Sequence, residues 1–110
     1  MNEPELLECL WYFWTQKGQP LITGNDIEAW SNNPFDRNNK PLPKVHLDTR
    51  RYEAWTASIE AQTKDDIVRW KEGPDRNKRV WYSLSQNTCG GAYLAAKQQA
   101  KPSWIEHQIP

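Results

Sequence analysis

Two groups of side chains in this chain have the types and spacing for chemistry. The first is cationic: Arg69, Lys71, Arg76, Lys78 and Arg79 lie close together, with Arg50 and Arg51 as an adjacent pair upstream. Long cations at such density are the groups that contact phosphate oxygens along a nucleic-acid backbone. Arg37, Lys40 and Lys44 add an accessory basic surface in a stretch rich in proline and asparagine. The second group is Cys89 followed by Gly90 and Gly91. A thiol just before a helix would have a lowered pKa, but a cysteine nucleophile also needs a histidine and an orienting group. Only His46 and His107 are present, in an expected loop and tail. No His, Cys and Asp side chains share metal-ligand spacing, and Gly90-Gly91 is too short for a phosphate-binding loop. The residues therefore predict a binding protein, without catalytic residues, cofactor or metal.

Bulk properties narrow this further. A chain of 110 residues forms one domain with a modest core. Only 37% of residues are hydrophobic, but seven Trp and four Tyr supply large apolar surfaces. No run approaches the roughly 18 apolar residues of a membrane helix. The acidic opening Met1-Asn2-Glu3-Pro4-Glu5 does not read as a signal peptide, so a cytoplasmic location is expected. Cys9 and Cys89 are too few for a disulfide framework and are expected to be reduced thiols. Net charge is zero but unevenly spread: Glu3, Glu5, Glu8, Asp26 and Glu28 oppose Lys17 alone in residues 1–35, while residues 36–110 hold thirteen Lys/Arg against nine Asp/Glu. A basic half can meet phosphate; a neutral whole is unusual for a strong nonspecific DNA binder.

The elements that must position these groups follow from pattern. Leu6, Leu7, Leu10, Trp11, Phe13 and Trp14 form a helical stripe from Glu3 to Gln16, stopped by Lys17-Gly18. A short extended piece around Leu21-Ile22 leads to a second helix, Asp26 to about Ser31, capped by Thr23 or Asn25 and burying Ile27 and Trp30. Residues 32–45, with Pro34, Pro41 and Pro43, read as a long surface loop. Asp48 or Thr49 caps a third helix running to about Gln62, with Tyr52, Trp55 and Ile59 inward and Ala54, Ala57 and Ala61 on another face. Two strands follow, 67–71 and 79–84, joined by a charged turn that bends at Gly73-Pro74-Asp75. Trp70 and Trp81 are placed to stack across this hairpin. A turn at 87–91 precedes a short helix, 92–100, built on Tyr93 and Leu94, and the tail from Ser103 reads as extended.

The order helix, short strand, helix, helix, hairpin resembles the winged helix-turn-helix superfamily. Arg79-Val80-Trp81-Tyr82-Ser83-Leu84-Ser85 looks like the second wing strand of small bacterial repressors of the ArsR and MarR kind. The resemblance covers residues 3–85 in element order and 66–85 in sequence detail. It implies an α+β winged helix-turn-helix with three main helices, a β-hairpin wing and a short C-terminal helix. It further implies that the helix from Thr49 faces the major groove of double-stranded DNA through Arg50 and Arg51. The wing residues Arg76, Lys78 and Arg79 would track the adjacent backbone, with Arg69 and Lys71 beside them.

The expected unit is a winged-helix domain over 1–85, including the basic loop at 32–47. Residues 86–110 form a C-terminal helix and tail, either part of that domain or a contact with a second subunit or partner. The leading expectation is a bacterial or phage-type transcriptional regulator, of a class that commonly dimerises. The alternative is a protein-binding adaptor or phage-type inhibitor that blocks a host nucleic-acid-binding complex. Zero net charge, the alanine face, the acidic first helix and a tail with Trp104 and Ile105 as candidate partner contacts favour it. The stretch 32–47 is longer than the three or four residues that usually join the helices of a helix-turn-helix. Either it is an insertion or the second helix lies elsewhere.

Overall fold

A computed structural model describes residues 3–47, 66–72 and 79–108. Among them are three helices and a four-stranded antiparallel sheet, an α+β arrangement. The third helix expected from sequence, with Arg50, Arg51, Tyr52, Trp55 and the alanine face, lies outside the described residues. So does the hairpin tip with Arg76 and Lys78.

Helix α1 (Glu3–Lys17) buries Leu6, Cys9 and Leu10, which recur at helical spacing, and continues the stripe through half-buried Phe13 and Trp14. Lys17 sits in its last turn, favourably placed for the negative end of the helix dipole. Gly18 then takes φ +62, a left-handed conformation that side chains resist, and its N–H donates to the Trp14 carbonyl. Strand β1 (Ile22–Thr23) leads directly into α2 (Gly24–Asn32). Thr23 is the N-cap: its hydroxyl accepts from the Asp26 N–H, and the Asp26 carboxylate accepts from the Thr23 N–H at 2.9 Å. This reciprocal pair satisfies two backbone donors that a helix start leaves open. The second helix therefore occupies its expected place, and residues 33–47 after it hold no further helix.

Strands β2 (Ile67–Lys71) and β3 (Val80–Leu84) pair in register from Ile67↔Leu84 to Lys71↔Val80. The order across the sheet is β1-β3-β2-β4, with β4 (Ile105–Gln108) on the outer edge of β2. The tail expected to be extended is thus a fourth strand of this sheet, which is wider than the β-hairpin expected for a wing. Alternation sends Ile22, Ile67, Tyr82 and Leu84 to one face, where they pack with Leu6, Cys9, Leu10, Ile27 and Trp30 from α1 and α2. Val68 and Trp70 point to the other face and pack with Leu21 and with Tyr93 and Ala96 of helix α3 (Gly90–Gln99). Helices therefore cover both faces, which explains two adjacent fully buried residues, Ile67 and Val68, on one antiparallel strand.

Two local expectations are corrected. The last helix begins at Gly90, so both glycines lie in its first turn rather than in the preceding turn. That turn is built from Ser85 and Thr88, with the Thr88 hydroxyl donating to Asp66 at 3.0 Å. Leu94 does not build the helix into the core: it is 54% exposed, and Ala92, Tyr93 and Ala96 are buried instead. Small alanines let α3 approach the sheet closely, leaving Tyr93 to supply the bulk.

Candidate nucleic-acid interface

Among the described residues, the cations expected to contact nucleic acid divide between the hairpin and the loop at 32–47. On the hairpin, Arg69 and Lys71 are half-buried on β2 and alternate with Trp70. They share the face that carries Ile67, the side toward α1 and α2. Arg79 is exposed just before β3, and its guanidinium lies 5.7 Å from the ring centre of Trp81, two residues along on the opposite face. Lys71 and Arg79 therefore flank the root of the hairpin from opposite faces instead of forming one basic track. The Glu72 N–H donates to the Arg79 carbonyl at 3.0 Å, extending the ladder one step towards the tip.

The loop is folded by its own polar groups. Asp36 Oδ1 accepts from the N–H groups of Asn38 and Lys40, at 2.8 and 2.9 Å, and a bridge pairs Phe35 with Pro41. Asn39 takes φ 62, a left-handed position that asparagine tolerates well. The Trp30 indole N–H donates to the Phe35 carbonyl at 2.9 Å, and the Val45 N–H to the Ser31 carbonyl. Arg37 is exposed but tied to α1 through both its side chain and its backbone. Its guanidinium meets Glu8 at 3.4 Å and lies 4.5 Å from the Trp11 ring centre. Its N–H donates to Glu8, and its carbonyl accepts from the side chains of Thr15 and Gln16. Lys40 and Lys44 are exposed. Lys44 borders a surface cleft of about 150 Å³ together with Glu28 and His46, a lining of mixed charge.

The tryptophans of α1 and α2 pack on the core as expected, and Trp70 and Trp81 face each other across the hairpin. Trp30 is buried, while Trp11 and Trp14 are half-buried. Trp70 and Trp81 stand directly opposite each other in the register. The Trp70 ring lies against Tyr93, 6.0 Å between centres, and its indole N–H donates to Ser83 Oγ at 2.8 Å. Trp81 stacks on Trp104 with 5.6 Å between centres and 17° between planes. Trp104 is thus half-buried against the sheet. Ile105, the other candidate partner contact, is 47% exposed.

Sequence reasoning overlooked Glu8, Tyr93 and Glu106 as organising polar groups. The Tyr93 hydroxyl donates to Glu106 Oε1 at 2.5 Å. That bond, then burial, then the negative charge of Glu106 push the phenol up to about 12. Nothing local signals the pairing, because the partners lie on α3 and β4. Asp36 had a readable signal, an aspartate before Arg37-Asn38-Asn39, the composition of a side-chain-capped turn. Cys9 is buried, and burial foremost, with Asp26 adding to it, raises its thiol well above the usual range. Cys89 is half-buried at the N-cap of α3 and makes no side-chain cap bond.

Among the described residues no group of three or more His, Cys, Asp or Glu could hold a metal ion, and no helix is long and apolar enough to cross a membrane. No family model, curated protein or solved structure matches the chain.

Proposed function

We propose that this chain is a small cytoplasmic winged-helix protein that binds double-stranded DNA as a bacterial or phage-type regulator, acting by binding rather than catalysis. The observation that carries the reading is the pairing of β1 with β3, Ile22↔Tyr82 and Thr23↔Trp81. In a chain ordered helix, short strand, helix, then hairpin, this pairing anchors the hairpin strands on the helical core. The tip is rooted between Lys71 and Arg79, and its sequence carries Arg76 and Lys78. A core-anchored hairpin with Lys71 and Arg79 at its root and Arg76 and Lys78 in the connecting sequence suits contact with the phosphate backbone beside a groove-bound helix. In this reading Arg50 and Arg51 belong to that helix.

The test is binding to a fluorescent random-sequence duplex across a salt series, beside the variant Arg76→Ala/Lys78→Ala/Arg79→Ala. With about five phosphate contacts, log affinity should fall against log salt with a slope near −4 to −5, and the triple variant should lose most of the binding. Absence of binding at low salt overturns the reading.

One observation favours the adaptor alternative. Leu94 and Ile105 are large apolar side chains left about half exposed, and Arg37, the first cation of the loop, is already held by Glu8 and Trp11. If DNA binding fails, a protein partner becomes the leading reading.

A further inference from the structure

Strand β4 adds an edge to a sheet already assembled without it. β2 is paired with β3 along its whole length, and its inward residues Val68 and Trp70 are covered by Tyr93 and Ala96. β4 then pairs with the other edge of β2, from Val68↔Gln108 to Lys71↔Ile105. Ile105 and Glu106 remain exposed. Among the described side chains, Trp104 and Glu106 fasten the segment on the face turned towards α3. Trp104 stacks on Trp81 and packs on the cluster around Trp70 and Tyr93, and Glu106 accepts from the Tyr93 hydroxyl. The Trp81 indole N–H is buried and has no acceptor among the described residues, so the segment covers this ring without satisfying it.

We propose that the edge of β2, with the Trp81 ring and the Tyr93 hydroxyl beside it, is a strand-addition site for an extended peptide, and that residues 104–108 fill it in cis as a displaceable strap. The structure itself specifies the occupant. Backbone pairing accepts any extended chain, while side chains two positions apart share a face and confer selectivity. At this edge those positions take an aromatic ring, on Trp81, and a carboxylate, on the Tyr93 hydroxyl. The partner is therefore a peptide with an aromatic residue two positions before an acidic one. The site borders Lys71, the register partner of Ile105, and Arg79 beside the Trp81 ring, but it does not depend on the DNA-binding reading.

The test uses the full chain with its strap loosened by Trp104→Ala/Glu106→Ala, and a fluorescent peptide copying residues 103–108. A control peptide has alanine at the aromatic and acidic positions. Fluorescence anisotropy should show the loosened chain binding the peptide at least tenfold more tightly than the unaltered chain, with the control peptide losing that gain. Equal affinity for the two chains, or for the two peptides, overturns the proposal. If circular dichroism shows the double variant unfolded, Glu106→Gln serves instead. It alters one exposed side chain and should shift affinity two- to fivefold in the same direction; no shift overturns the proposal.

Discussion

Residues 33–47 and residues 100–108 both look polar and irregular in sequence, yet they are held in different ways. The first segment is tied through its backbone: carbonyls of Pro34, Phe35 and Arg37 and N–H groups of Arg37, Asn38, Lys40 and Val45 all have partners in the loop or on α1 and α2. It also sends Val45 into the main core. The second segment is tied by backbone bonds of Ala100 and Trp104, by pairing along one strand edge, by packing of Ala100 and Trp104 on the cluster around Trp70 and Tyr93, and by the Tyr93–Glu106 hydrogen bond. Its described strand side chains, Ile105 and Glu106, are exposed. A long connection can thus be as firmly built as an element when its polar groups are satisfied. A regular strand can be less so when little of it is buried, since local opening costs least where few apolar contacts must break.

The largest expected effect comes from breaking the first region at its root. Trp30 is 4% exposed and joins α2, the core and the loop through its ring and its bond to Phe35. Trp30→Ala should cost about 3–5 kcal/mol in urea unfolding, the range for deleting a buried aromatic. A loss under about 1 kcal/mol would mean that the loop and α2 are held independently.

An intermediate effect probes the second region. Tyr93→Phe removes the hydroxyl that meets Glu106 while keeping the ring against Trp70, and should cost about 1–2 kcal/mol at neutral pH. The sign with pH follows from the raised phenol. The fold favours the protonated form, so the contribution is fully present below the unfolded value near 10 and is lost as pH rises through about 12. Stability of the unaltered chain should therefore fall more steeply than that of the variant between those values, and the two curves should converge above them. Parallel curves would show that the hydroxyl and Glu106 do not share this proton.

The smallest effect sharpens the first region. Arg37→Ala removes a partly exposed ion pair, typically worth under about 1 kcal/mol, and a cation–π contact of about 0.5–1 kcal/mol. It leaves the backbone bonds of the loop in place. A loss of roughly 1 kcal/mol is expected, with amide exchange in the loop little changed. Wholesale loss of protection across 34–42 would show that the side chain, not the backbone network, holds the loop.

Much of this was readable from the chain. The stripe of Leu6, Leu10, Phe13 and Trp14, the Thr23 cap with Asp26 three residues on, and the β-branched and aromatic runs at 67–71 and 79–84 each specify an element through residues a few positions apart. Local patterns stopped short wherever the answer depended on a distant neighbour. The alternation that places Lys71 and Arg79 on opposite faces was present, yet five cations in one short stretch read more simply as a single surface. Leu94 looked like a core residue because leucine usually is one; the close approach of α3 through Ala92 and Ala96 left it outside.

By itself the sequence determined the helices α1 and α2, the hairpin strands, the extended character of the tail and the uneven charge, because each rests on short-range periodicity, capping or composition. Only the tertiary structure decided that helices cover both faces of the sheet, that 105–108 pairs with β2, that Trp104 rests on Trp81, and that Arg37 meets Glu8 and Trp11 of α1. Those outcomes depend on which surfaces meet. Burial and register are set by the best joint packing of segments far apart in the chain, a sum that no local window contains.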